Sequence, residues 1–390
     1  MDIQFASRLT DFGEGIFSIL NVEKEKLIRA GKKVYNLSVG TPDFQPAPHV
    51  MQAVAEAALK PDSYKYSLTD LPELLEAVKA HYKKRFGVEI ETDEIMSVYG
   101  SQEGITHIGL ALCNPGDVVL VPNPGYPIFK IGPSLAGCKT VEYPLSAEHD
   151  FLPDLDAIPE ETARAARFMI VSYPANPICA VAPEEFYEKL IAFARKYQVV
   201  ILHDNAYSDI IYDQNEGRSF LSFPGAKDVG VEFYSLSKSY NLTGARISFV
   251  VGNAAVVQAF KTIRSQFDYG IFYPVQYAAI AALNGPQDAV REQCREYEAR
   301  RDALCSGLRN IGWEVPDSRG SMFVWAPLPA GYTNANDFVM ELMEKTGVLC
   351  TPGSSFGSLG EGYVRLALVL PPEELREAVK SIADSGMIHK

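Results

Sequence analysis

The sequence predicts an α/β protein: a parallel sheet covered by helices on both faces, with a second, smaller α/β domain. Three observations carry this. From residue 95 onward, short apolar runs alternate with stretches of helical periodicity, the pattern of parallel strands joined by crossover helices. A chain of 390 residues is long for one simple core, so two domains are expected. Beyond Val251 the character changes to long amphipathic helices with short strands between them.

In chain order, an N-terminal arm leads into a helix with Phe17, Leu20, Val22 and Leu27 irregularly spaced. Residues 35–39 read as a short strand stopped by Gly40-Thr41-Pro42-Asp43, and 48–59 and 72–86 as helices. A strand at 95–99 precedes a helix over 102–113 that opens after Gly100-Ser101. Asn114-Pro115-Gly116-Asp117 turns the chain into a strand over 118–121. Then come a strand at 168–171, a helix at 183–197, and a strand at 199–202 that ends on His203-Asp204. Strands at 231–234 and 247–251 flank the stretch from Ser235 to Arg246. Helices over 254–283 and 287–311 follow, and Arg291, Glu292, Arg295, Glu296, Glu298, Arg300 and Arg301 are expected to form a solvated charged face on the second. Strands at 322–325, 348–350 and 363–369 and helices at 336–345 and 372–382 complete the smaller domain. The expected division is 1–40 as arm and part of the small domain, 41–284 as the large domain and 285–390 as the rest of the small one.

Composition narrows the function classes. With 47% hydrophobic and 22% charged residues the chain reads as an ordinary soluble enzyme. A net charge of −13 argues against a nucleic-acid-binding face. Met1-Asp2-Ile3-Gln4 has neither the basic nor the apolar region of a signal peptide, and no apolar run approaches a membrane span. Six scattered cysteines without a Cys-x-x-Cys pair point to reduced thiols and a cytoplasmic setting. The histidines lack metal-ligand spacing, so no metal is expected, and His203 reads as a packed strand residue.

The chemistry concentrates at Ser235-Leu236-Ser237-Lys238, with Gly244-Ala245-Arg246 beyond. A desolvated lysine amine among cations condenses with an aldehyde. Hydroxyls and a guanidinium fork suit a phosphate. Pyridoxal 5′-phosphate carries both groups and is held as a lysine Schiff base with a carboxylate on its ring nitrogen. The stretch alone suits a solvated Ser-, Lys- and Asn-rich turn equally well. Other signals agree, each with a plain structural alternative. Gly100-Ser101-Gln102-Glu103, between strand and helix, suits a phosphate or simply begins the helix. Asp204, with Tyr207 three residues on, suits a pyridinium or caps a helix. Asn176 within Pro174-Ala175-Asn176-Pro177 lies at a carboxyl strand edge or in an Asn-Pro turn. Tyr126, in Pro124-Gly125-Tyr126-Pro127, stacks on a ring or belongs to another turn.

In order and rough spacing these elements resemble the fold-type I, class I/II pyridoxal-phosphate aminotransferases along nearly the whole chain. The specific part is Ser-x-Ser-Lys-x5-Gly-x-Arg at 235–246, joined by Pro-x-Asn-Pro, Asp-x-x-Tyr, Tyr126-Pro127 and Val364-Arg365-Leu366. The resemblance implies an aspartate-aminotransferase-like fold with a mostly parallel seven-stranded sheet. It implies exchange of an amino group between an L-amino acid and a 2-oxo acid by a ping-pong cycle, in a homodimer with shared sites. Lys238 would hold the cofactor and shuttle the substrate proton, and Asp204 would keep the ring nitrogen protonated. Asn176 and Tyr207 would hydrogen-bond the 3′-oxygen, and Tyr126 would stack on the ring. Ser101, Gln102, Ser235, Ser237 and Arg246 would hold the phosphate, joined by Tyr66 of the partner subunit. Arg365 would bind the substrate α-carboxylate beside the Gly40 backbone, though a strand-start arginine also serves as a surface ion pair.

Three departures from the family pattern stand out. Thr69-Asp70-Leu71-Pro72 lacks the usual glycine, so the loop carrying Tyr66 is expected to differ in shape. Ile178-Cys179 replaces Thr-Gly after Asn176-Pro177. The loop 267–273, where dicarboxylate-specific members often carry an arginine, is aromatic and has none. With residues 12–17 and this loop expected to line the side-chain pocket, a neutral or apolar donor is expected over aspartate or glutamate, unless Arg264 or Arg319 swings in. Two alternatives share the scaffold: a pyridoxal-phosphate-dependent C–S β-lyase, and a non-enzymatic sensor. The presence of Lys238, Asp204 and Arg365 ranks the sensor last.

Overall fold

The computed structural model describes residues 1, 3–11, 16–213 and 215–388. Residues 12–15, expected to line the side-chain pocket, lie outside the described residues, and so does the Phe17 side chain. The strands are β1 (Tyr35–Asn36), β2 (Ile95–Val98), β3 (Val118–Asn123), β4 (Lys139–Pro144), β5 (Ala166–Ser172) and β6 (Val200–Asn205). They continue as β7 (Gly230–Ser235), β8 (Ser248–Gly252), β9 (Phe323–Pro327), β10 (Val348–Leu349), β11 (Thr351–Pro352) and β12 (Tyr363–Ala367). Seven of them form one sheet in the order β2-β8-β7-β6-β5-β3-β4. The pairs from β7 through β4 are parallel, whereas β8 runs antiparallel to both β7 and β2. The mostly parallel seven-stranded sheet is therefore present.

Strand alternation divides the interior into two cores. Phe168 and Ile170 of β5 join Val119, Leu202, Phe233 and Phe260 on one face. Met169 and Val171, the residues between and after them, join Leu120, Ile201 and Leu190 on the other. Helices Ser101–Leu112 and Ala254–Arg264 cover the first face, and Pro72–Phe86 and Glu184–Tyr197 the second. The helix Pro72–Phe86 starts on Pro72, whose fixed φ suits a first turn, and stops where Gly87 turns left-handed at φ 70°. A separate antiparallel sheet, β11-β12-β9, carries the C-terminal part, and β1 pairs in parallel with β10.

Several expectations are corrected. The single helix over 254–283 is two, Ala254–Arg264 and Tyr273–Asn284, because Pro274 begins a new helix after an aromatic loop. The edge strand β4 and the helix Ile128–Leu135 have no counterpart in the sequence reading. Arg300 and Arg301 do not belong to a solvated face of the helix Asp288–Asn310. They are 3% and 4% exposed, bound by Asp43 and Asp213 from distant parts of the chain.

Candidate active site

The carboxyl ends of β2, β3, β5, β6 and β7 open onto one cavity of about 550 Å³, the region where open α/β sheets bind ligands. Each strand delivers a residue as it ends: Ser101 and Gln102 after β2, Tyr126 after β3, Asn176 after β5, Asp204 and Tyr207 at and after β6, and Lys238 after β7. Gly40, Ser235, Ser237, Arg246 and Arg365 complete the expected set in the cavity wall. Tyr66 is the exception. It is 76% exposed and packs its ring 5.0 Å from that of Tyr269, away from the cavity of its own chain.

Lys238 lies in a single helical turn, Leu236–Ser239, capped by the Ser235 hydroxyl, which accepts from Ser237 N at 3.2 Å. Its Nζ donates to the Gly40 carbonyl at 2.6 Å. Desolvation by the surrounding protein, with Arg365 and Arg246 adding repulsion, pulls the amine down to about 8, where a substantial neutral fraction exists near neutrality. Gly40 has no alternative here, since a β-carbon would collide with the Phe323 ring.

Asp204 is buried and its Oδ1 has no hydrogen-bond partner. Burial, with Glu232 adding like-charge repulsion, pushes its carboxyl up to about 7. A carboxylate in this position calls for a cation. Burial likewise raises the Tyr207 phenol. The Tyr126 hydroxyl donates to Gln102 Oε1 at 3.0 Å. Ser101 Oγ is another buried atom without a partner. Arg246, in left-handed backbone at φ 57°, donates to the carbonyls of Thr243 at 2.8 Å and Tyr99 at 3.2 Å. Gly100, at φ 89°, leaves room for that guanidinium, which a β-carbon would strike.

Arg365 of β12 is 4% exposed, between the Phe323 and Phe356 rings at 4.2 and 4.7 Å. It donates to Asn176 Oδ1 and to the Ser38 carbonyl, both at 2.9 Å, and its Nε has no partner. Burial pulls even this guanidinium down to about 10. The cavity thus combines Lys238, Arg246 and Arg365 with one carboxylate, in a chain whose net charge is −13. Unpartnered hydroxyl and guanidinium atoms want an anion, and the orphaned carboxylate wants a cation. A phosphorylated pyridine aldehyde and a carboxylate substrate satisfy both demands.

The three sequence departures have physical counterparts. Asp70 accepts from Ser97 N at 2.9 Å and from the Ser97 hydroxyl, latching its loop to β2. Gln276, fully buried, donates to Ser67 Oγ at 2.8 Å and the Ile271 carbonyl at 2.7 Å and accepts from Leu71 N at 2.9 Å. Cys179 adopts the left-handed φ of 58° without being glycine, and its thiol donates to the Phe323 carbonyl at 3.1 Å. Arg264 is not a spare cation. It is 6% exposed, paired with Asp268 at 2.8 Å and bonded to the Ser97 carbonyl. Arg319 is exposed and does not line the cavity. Phe323, which wedges Gly40 and carries Arg365, escaped the sequence reading because an aromatic in an apolar strand has no distinguishing signal.

The sequence pattern of the family Aminotransferase class I and II matches residues 32–382. The chain belongs to this family. Together with the aminotransferase names of relatives at 41–44% identity, membership makes it a pyridoxal-phosphate-dependent transaminase that moves an amino group between an amino acid and a 2-oxo acid. It is 44% identical over 378 residues to an LL-diaminopimelate aminotransferase of Halothermothrix orenii, covering 95% of this chain and 97% of the relative. A protein of the same name from Moorella thermoacetica is 41% identical over 382 residues, with 97% and 98% covered. Among solved structures, substrate-bound BacF from Bacillus subtilis superposes with a TM-score of 0.95 at 35% identity, covering 100% of this chain and 99% of that one. A probable N-succinyldiaminopimelate aminotransferase from Thermus thermophilus gives 0.89 at 35% identity, covering 95% and 100%.

Proposed function

We propose that this aminotransferase takes LL-diaminopimelate as its amino donor, and that the residues gathered in the cavity divide the work as follows. Lys238 would hold the cofactor through its aldehyde and, once substrate is bound, would take and return the proton at the substrate Cα. Its lowered affinity for protons suits both tasks. Asp204 keeps a proton on the ring nitrogen, and Asn176 and Tyr207 hold the 3′-oxygen. Tyr126 would offer its ring for stacking on the cofactor. Ser101, Gln102, Ser235, Ser237 and Arg246 hold the phosphate. Arg365 takes the α-carboxylate as a planar fork beside the Gly40 backbone. When bound, pyridoxal phosphate supplies an electron sink for the bond broken at Cα.

The carrying observation is that, among the described residues, no cation of the cavity wall is left over. Lys238, Arg246 and Arg365 are committed by these roles, and Arg264 is bound to Asp268. A lone second carboxylate would therefore be costly. The far end of LL-diaminopimelate carries an ammonium and a carboxylate together and is neutral overall. The names of the relatives at 41–44% identity support the same donor. Single-turnover rates with LL-diaminopimelate, methionine, phenylalanine, alanine and aspartate test it. LL-diaminopimelate is expected to be fastest and aspartate slow; aspartate outpacing LL-diaminopimelate overturns the reading.

We also propose a homodimer. Tyr66 and Tyr269, 76% and 59% exposed, pack ring against ring, and Tyr64, 67% exposed, meets the exposed ring of Phe272 on the same aromatic loop as Tyr269. An apolar surface of this kind suits a second copy, whose cavity Tyr66 of the partner subunit would then complete. The six cysteines are all free, which supports a reducing, cytoplasmic setting.

A further inference from the structure

The helix Asp288–Asn310 contributes nothing to the cavity wall, yet it buries one polar stripe. Gln293, Tyr297 and Arg300 stand four and three residues apart, on one helix face, and are 6%, 0% and 3% exposed. Arg300 forks onto Asp43, with Nη1 to Oδ1 at 2.7 Å and Nη2 to Oδ2 at 2.9 Å. Its Nη1 also donates to the Leu368 carbonyl at 3.0 Å, and the guanidinium lies 4.6 Å over the Phe44 ring. Tyr297 meets the same ring edge-on at 5.2 Å. Gln293 Nε2 donates to the Lys238 carbonyl at 2.7 Å, and its Oε1 accepts from Asn241 at the same distance.

The stripe therefore grips two segments that meet inside the cavity. One runs through Gly40 to Phe44, the other from Lys238 to Asn241. Their meeting point is the hydrogen bond from Lys238 Nζ to the Gly40 carbonyl. The first segment has no regular structure of its own. Arg365 fixes it at Ser38 and Arg300 fixes it at Asp43, with Gly40 between. A guanidinium fork sets direction as well as distance, which a lysine ammonium does not.

We propose that Gln293, Tyr297 and Arg300 form a positioning element that sets the spacing between the Lys238 amine and the Gly40–Thr41 backbone. It rests on the assignment of Lys238 as the cofactor lysine. None of the three touches the reacting atoms. They act through the two segments they hold, as supporting residues do around a preorganised site.

The test uses full-length protein stripped of cofactor, and pyridoxal phosphate as the probe. Loading is quenched with borohydride and followed by the mass of the Lys238 peptide, from pH 6 to 10. Arg300→Lys, Asp43→Asn and Gln293→Leu are expected to slow loading by roughly tenfold, the scale of a small misplacement. They are also expected to move its midpoint toward higher pH, because a slack segment lets water reach the amine. The charged and titratable groups facing that amine are Arg365, Arg246, Asp204, Tyr207 and Tyr126, and all are unchanged in these variants. Arg301→Lys is the control. It loosens the fork that an equally buried arginine of the same helix makes onto Asp213, without contact to either segment. It is expected to lower thermal stability and leave the midpoint where it was. Asp43→Asn alters a half-exposed side chain and keeps the test alive if Arg300→Lys does not fold. Loading rates and midpoints equal to wild type in Asp43→Asn and Gln293→Leu overturn the proposal, as does an equal midpoint shift in Arg301→Lys. No label on the Lys238 peptide of wild type sinks the assignment of Lys238 instead. No amino acid enters the assay, so an error in the donor leaves it intact.

Discussion

Arg365 Nη1 donates to Asn176 Oδ1 at 2.9 Å, so the guanidinium walled in by two aromatic rings is held by a neutral amide and, among the described residues, by no carboxylate. Its charge is available to an incoming anion. Arg365→Lys keeps the charge and loses the fork, and kcat/KM for LL-diaminopimelate is expected to fall by about 2–5 kcal/mol in transition-state terms. Steady-state kinetics read this. A change under twofold would remove Arg365 from the carboxylate site.

The amine of Lys238 should react as the neutral form. Its rate of condensation with pyridoxal phosphate is expected to rise with pH and level off above about 8. Arg365→Met and Arg246→Met each remove a repelling charge, so both midpoints are expected to move upward. Lys238→Ala should still bind the cofactor through its phosphate ligands, leave nothing for borohydride to fix, and lose transamination.

Asp204 sets a stability test in the cofactor-free protein. Burial and Glu232 raise its carboxyl from 3.8 to about 7, so the folded state holds this proton more tightly than the unfolded chain. Its contribution is favourable at low pH and declines as pH rises between those two values. Asp204→Asn cannot ionise. The variant is expected to melt several degrees above wild type at pH 8, a gain of about 1–3 kcal/mol, and to match it near pH 4. It should bind pyridoxal phosphate more weakly at both. A variant less stable than wild type at pH 8 would contradict the assigned environment.

The aromatic patch predicts a dimer by light scattering at micromolar concentration. Tyr269→Asp places a charge against Tyr66 and is expected to shift the protein toward monomer and weaken cofactor retention together. Dissociation with full retention would show that the neighbouring subunit adds nothing to the site.

Much of the site was legible because strand ends are legible. Lys238, Asn176 and Tyr126 follow, and Asp204 ends, short apolar runs that read as buried strands, and parallel topology brings the carboxyl ends together. The reversed direction of β8 was not, since an apolar run carries no record of its partner's orientation. β4 stayed hidden because an edge strand with mostly exposed positions lacks the apolar pattern. Arg300 and Arg301 looked solvated because helical spacing reveals neighbours on the same helix, while their partners Asp43 and Asp213 lie 257 and 88 residues away. Arg264 is a different case: its partner Asp268 stands only four residues on, just past the end of the helix Ala254–Arg264, so the pairing is local and compatible with helical spacing.

Gln276 has a consequence for anyone recombining members of this family. Its single amide spans the Tyr66 loop, through Ser67 and Leu71, and the aromatic loop, through Ile271. A graft of one loop that loses the Ser67 hydroxyl or moves the Leu71 or Ile271 main chain would strand part of a fully buried amide at a penalty of about 1–3 kcal/mol. The two loops and residue 276 form one transplantable cassette, and chimaeras should be cut outside all three.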